Sequence, residues 1–173
     1  MTQAVSSLAV AVTDKTAFVK VTGRADFNRS MSLKTLVKEL NDRGYSEFVL
    51  DLTDCATMDS TFLGGLAGIV LSFPQRQQTA TKVSLQLLNP SQRISDLLDG
   101  LGISHLFPVR QGANPVENAL QSPSPQAITP SKEEISKACL EAHQNLMEVN
   151  PENIPRFKDV VQFLAEDLKK LKA

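Results

Sequence analysis

Glu47-Phe48-Val49-Leu50-Asp51-Leu52 is a nearly continuous apolar run of strand length. A strand without polar alternation has no face to offer to water, so it suits a central position covered on both sides. Such a strand needs layers above and below it, and a layered α/β domain is the simplest architecture that supplies them.

The flanking sequence fits that frame. Leu8, Val10 and Val12 alternate, and Phe18, Val19 and Val21 follow across the polar turn Thr13-Asp14-Lys15. This pattern predicts two strands, ended by Gly23 and Asp26. Leu33, Leu36, Val37 and Leu40 share one face of a helical period, and Gly44 is placed to cap the helix end. After the central strand, a polar turn from Thr53 to Ser60 leads into a second helix. Its apolar face carries Phe62, Leu66, Ile69, Val70 and Phe73, with Pro74 as its stop. Val83, Leu85, Leu87 and Leu88 predict a further strand. Asn89-Pro90-Ser91 opens a third helix with Ile94, Leu97, Leu98 and Leu101, ended by Gly100 and Gly102. Leu106, Phe107 and Val109 read as a short last strand, and Val116 to Leu120 as a short last helix. The order β-β-α-β-α-β-α-β-α predicts parallel strands around right-handed crossovers.

Residues 1–121 form this domain. Residues 122–130, rich in serine and proline, read as an extended linker. Residues 131–173 are helical in pattern. Ser131-Lys132-Glu133-Glu134 matches a capping box, and Ile135, Ala138, Cys139, Ala142 and Leu146 follow as an apolar stripe. Asn150-Pro151 breaks the chain. Phe157, Val160, Val161, Leu164, Leu168 and Leu171 then mark a last helix, with Pro155 in its first turn. Two such helices make a hairpin whose stripes need a third surface. Docking on the chain's own domain, or a homodimer through these helices, ranks above capture of a partner.

Composition narrows the function. The formal net charge is -1, aromatics are 5%, there is no Trp, and Tyr45 is the single tyrosine. A nucleic-acid binder would carry a basic surplus and stacking platforms. Cys55 and Cys139 fit neither a metal-ligand spacing nor a disulfide framework and read as reduced thiols. The N-terminus shows no secretory pattern, and the apolar stretch from Phe62 to Phe73 falls short of the ~20 residues that span a bilayer. A cytoplasmic protein without membrane insertion is expected. Asp54 and Asp59 lack a third metal ligand, so they read as capping or solvated carboxylates. His105 and His143 read as structural or surface residues. Ser60 lacks the flanking glycines of a nucleophile elbow, and no phosphate-binding glycine loop is present. A non-enzyme without cofactor or metal is the expectation.

The informative stretch runs from Asp51 to Leu66. An apolar strand delivers Asp51 and Asp54 at its end, and a turn places Met58-Asp59-Ser60 at the start of a helix carrying Gly64 and Gly65. This resembles the phosphorylation loop of STAS domains, the fold of the anti-sigma-factor antagonists. The resemblance extends over roughly Val5 to Leu120 and includes Gly23, Leu97-Leu98 and Gly100-Leu101. It implies the layered mixed sheet of SpoIIAA-like proteins and makes Ser60 the matching phosphorylation residue, with Thr61 as the fallback hydroxyl. It also implies a partner, a serine kinase that doubles as an anti-sigma factor, bound while Ser60 is unmodified, and a phosphatase that resets the switch. Asp54, Met58, Asp59, Ser60, Thr61 and Gly64 are the expected partner-binding residues. Phe62 stands where the family often has glycine. The alternative is an unswitched STAS scaffold in a signalling or transport-associated assembly.

Overall fold

The computed structural model describes residues 7–72, 83–121 and 130–172. Strands β1 (Ser7–Thr13) and β2 (Thr16–Ala25) pair antiparallel across a tight turn. Asp26 then caps α1 (Phe27–Asp42), its Oδ1 accepting the Arg29 amide at 3.2 Å. Leu33, Val37 and Leu40 form the buried face of α1, and Gly44, at φ 102°, reverses the chain where an L side chain would be strained.

The central strand β3 (Glu47–Asp51) lies parallel to β2, as the apolar run predicts. β4 (Cys55–Met58) and α2 (Ser60–Ser72) follow. β5 (Ser84–Leu88) joins the free side of β3 in parallel, α3 (Gln92–Gly100) crosses over, and β6 (Val109–Arg110) closes the parallel edge. The sheet order is β1-β2-β3-β5-β6, with β4 paired to the far end of β2. Gly23 makes that last pairing work. At φ 77° it marks the register shift at which β2 leaves its first partners for β4, and its amide donates to the Asp54 carbonyl at 2.9 Å.

β3 is covered on both faces, but unequally. Phe48, Leu50 and Leu52 enter the main core with Leu33, Phe62, Leu66 and Ile94. On the opposite face Val49 sits with Phe18 and Leu88 under Val116, which belongs to the loop after β6. A loop therefore does the work of a second helical layer there.

Three expectations need correction. The polar turn from Thr53 to Ser60 contains strand β4. Leu106 closes a 3-10 turn, Ser104–Leu106, and Phe107 packs into the core, so only Val109 and Arg110 pair with β5. The last short helix is a single 3-10 turn, Glu117–Ala119. The Pro74 stop and nearly all of the Ser/Pro-rich linker lie outside the described residues.

The C-terminal helices dock on the chain's own domain. Ser131 and Glu134 form the expected capping box at the start of α4 (Lys132–Val149). A 3-10 turn, Pro151–Asn153, leads into α5 (Ile154–Lys172), which packs against α4. α4 lies on α2 and α1, and its Leu146 is wholly buried in the main core. The elbow is pinned to the end of α3. The buried Asn153 amide donates to the carbonyls of Leu101 and Leu146, both at 2.9 Å, and Asn150 reaches the Leu101 carbonyl at 3.4 Å.

Candidate functional site: the start of helix α2 beneath α4

β4 delivers the chain to α2, and Asp59 is the hinge residue between them. Its amide donates to the Ala25 carbonyl at 3.0 Å, and its Oδ1 accepts the Phe62 amide at 2.8 Å. Asp59 thus satisfies an N–H group that a helix start leaves open. Ser60, the first residue of α2, is relieved of capping and points its hydroxyl elsewhere.

That hydroxyl meets α4. Ser60 Oγ lies 2.9 Å from His143 Nε2, and His143 Nδ1 lies 2.6 Å from the Cys139 carbonyl oxygen. A carbonyl only accepts, so in the neutral ring Nδ1 carries the proton and Ser60 donates to Nε2. The His143 ring is buried and faces Phe157 of α5 at a centroid distance of 5.0 Å. Thr61 is also buried, its hydroxyl 3.6 Å from Cys139 Sγ. One turn on, Gly64 lets the backbone of Ala142 approach so closely that an added Cβ would lie 2.8 Å from its Cα and nearer still to its carbonyl. Asn145 Nδ2 donates to the Gly64 carbonyl at 3.3 Å.

The six expected partner-binding residues therefore divide. Ser60, Thr61 and Gly64 converge under α4, and Asp59 holds the helix start. Met58 is 4% exposed and belongs to the core. Asp54 is exposed and turned toward Lys20, whose Nζ is 2.9 Å from its Oδ2 and also bonds Glu117. The Glu117 and Asp54 carboxylates hold the Lys20 ammonium well above its ordinary pKa. Asp51 is buried as a turn-former: Oδ1 accepts from Thr53 and Oδ2 from Asn114. Cys55 is buried, and desolvation pushes its thiol up to about 11. Cys55 and Cys139 are both free thiols.

Sequence reading missed His143, which becomes the hydroxyl's partner only through a contact 83 residues away. The one available signal was its place beside Ala142, at the edge of the apolar stripe. His105 is exposed, as expected. Among the described residues no cluster of three or more His, Cys, Asp or Glu is disposed to hold a metal, and no helix is long and apolar enough to cross a membrane.

A family model described as "Mlab, STAS domain" matches residues 8–108, more than half of the chain. Among solved structures, the anti-sigma factor antagonist SpoIIAA in its unphosphorylated form superposes with a TM-score of 0.50 at 16% identity, covering 62% of this chain and 90% of that one. A putative anti-sigma factor antagonist from Thermotoga maritima superposes with a TM-score of 0.51 at 16% identity, covering 61% and 86%. At that identity the likeness is one of fold. No curated protein sequence matches the chain significantly.

Proposed function

The chain belongs to the STAS-domain family, and from that membership we propose that it is a non-catalytic protein-binding module switched at Ser60. The observation that carries this reading is the division of labour at the start of α2: Asp59 caps the helix, so the Ser60 hydroxyl is not needed as a cap and is turned to whatever lies on that face, here His143 of α4. The solved relatives are described as anti-sigma factor antagonists, one of them in its unphosphorylated form. On the family resemblance of the Asp51–Leu66 loop, the proposed partner of this chain is a serine kinase that doubles as an anti-sigma factor. It is bound when Ser60 is unmodified and released when Ser60 is phosphorylated, and a phosphatase resets the switch.

The electrostatics suit such a switch. A phosphate at a helix N-terminus gains on the order of 0.3–1 kcal/mol from the dipole. It also brings a charge of about -1.5 to -2 next to the Asp59 carboxylate. An interface shaped for a neutral hydroxyl loses tenfold in affinity for every ~1.4 kcal/mol of repulsion or desolvation. Release needs no refolding of the domain.

The test is the intact mass of the protein from its native cells under growth and under stress, with the modified residue mapped, together with partner binding by Ser60→Ala and Ser60→Asp. One phosphate on Ser60 that changes with condition supports the switch, as does binding kept by Ser60→Ala and weakened by Ser60→Asp. Equal affinities for both variants would refute it.

One observation favours a second reading. Ser60 faces the chain's own His143 rather than solvent, which suits an unswitched scaffold whose free surface is the outer side of α5, where Val160, Phe163 and Leu171 are exposed. A uniformly unmodified chain across all conditions would select that reading.

A further inference from the structure

The α2 face that starts at Ser60 is already occupied, and the manner of its occupation bears on how the site is controlled. His143 cannot step aside alone. It is 6% exposed, its Nδ1 is held by Cys139, and its ring is backed by Phe157. Further along, the Ala142 backbone rests on Gly64, and the Asn145 amide reaches both the Gly64 carbonyl and the space a side chain at Gly68 would need. The face from Ser60 to Gly68 is a seat for a helix, and α4 sits in it.

A phosphate does not fit that seat. Transfer from a nucleoside triphosphate forms a bond from the γ-phosphorus to Ser60 Oγ, breaks the bond to the β-phosphate oxygen, releases the hydroxyl proton and leaves a nucleoside diphosphate. The hydroxyl hydrogen, which now bridges 2.9 Å to His143, is replaced by phosphorus and three oxygens. Ser60 is half-buried rather than enclosed, but on the side of its hydroxyl that meets the buried His143 an insertion of that size is overpacking, which forces side-chain and backbone shifts.

We infer that the α4–α5 hairpin is a releasable cover, and that a phosphate on Ser60 and the docking of α4 on α2 exclude each other. The inference rests on the reading of Ser60 as a phosphate acceptor. Linkage makes the exclusion reciprocal: whatever holds the hairpin down shields Ser60, and whatever modifies Ser60 frees the hairpin. The seat also states what it accepts from outside: an amphipathic helix with a small residue over Gly64 and a hydrogen-bonding side chain over Ser60, as α4 offers Ala142 and His143. A partner of that kind competes with the hairpin, and its apparent affinity is reduced by the fraction of time the hairpin is docked.

The experiment uses the full chain carrying genetically encoded phosphoserine at position 60, compared with wild type and Ser60→Ala, with amide hydrogen exchange followed over residues 132–149. Exchange at least tenfold faster in the phosphoprotein, with β2 and β3 still protected, is the expected result. Unchanged protection of α4 overturns the inference, because the phosphate is then accommodated beside His143. Loss of protection spread equally into β2 and β3 overturns it too, because that is unfolding rather than release. A second readout uses Thr61→Cys, which places a thiol next to Cys139. With oxidised glutathione added as the two-electron oxidant, the disulfide should form readily in the unmodified chain and at least tenfold more slowly with phosphoserine at 60, and equal rates count against release. Absence of phosphate from Ser60 in cells refutes the proposed switch, whereas these measurements on encoded phosphoserine decide the exclusion independently.

Discussion

Substituting Gly64 by alanine adds one methyl group at the tightest approach between α2 and α4. The new Cβ would lie 2.8 Å from Ala142 Cα and nearer still to its carbonyl, where ordinary contact begins at 3.4 Å. The obstacle is backbone, so no rotamer change relieves it, and α4 must back away by more than half an ångström. Two effects oppose each other. Alanine is favoured over glycine in a helix interior by ~1 kcal/mol. Overpacking a close-packed contact costs about 1–3 kcal/mol, and displacement of α4 also loosens Leu146, whose full burial contributes ~1.5–3 kcal/mol. The collision wins, and Gly64→Ala is expected to lose about 1–2 kcal/mol, a fall in melting temperature of roughly 2–8 °C for a chain of this size. Thermal unfolding followed by circular dichroism measures the loss, and hydrogen exchange over α4 locates it. Gly100→Ala is the control: nothing lies within 4 Å of its added Cβ, and it should be neutral or slightly stabilising. A Gly64→Ala protein as stable as wild type, with α4 fully protected, would refute the packing account.

Asp59→Ala should cost about 1 kcal/mol by uncapping α2, measured by urea denaturation, while Asp59→Asn keeps most of the cap. Cys55 binds its proton more tightly in the folded state, so its contribution is complete below pH 9 and is lost as pH rises toward 11. The expected fall is on the order of 2 kcal/mol, and the slope of stability against pH in that window should flatten in Cys55→Ala. The Cys55 thiol should also resist a disulfide reagent at pH 8 until denaturant is added. Phe163 is 69% exposed, so Phe163→Ser should leave the unfolding free energy of the monomer within about 0.5 kcal/mol of wild type; a larger loss, read together with sedimentation, would show that α5 covers its outer face with a second copy.

The elements that periodicity exposes in the sequence are those whose partners are local or obligatory. The run from Phe48 to Leu50 demands cover on both faces whatever supplies it. Ser91 and Ser131 declare helix starts through capping chemistry that reaches only three residues ahead. β4 was hidden because four residues with one exposed alanine and one half-exposed threonine make no visible alternation, and their pairing depends on the Gly23 bulge in a strand far upstream. Phe107 looked like a strand residue because it is apolar, yet its burial follows a 3-10 turn rather than a ladder. At the site, Asp59-Ser60 before a glycine-bearing helix was legible. His143 was not, since a lone histidine carries no mark of the hydroxyl it will meet.

Leu146 completes a core whose other members lie between Leu8 and Phe107, except for Val149 and Phe157 at its margin. Synthesis runs from the N-terminus, so every strand and helix of the STAS domain exists before α4 does. At about 5–20 residues per second, the stretch from Gln121 to Leu146 takes roughly one to five seconds to be made. During that interval a nascent domain displays α2 with its Gly64 seat bare. Newly made chains therefore pass through an open form that mature chains leave, and a helical partner or chaperone present at the ribosome meets this surface before the hairpin does.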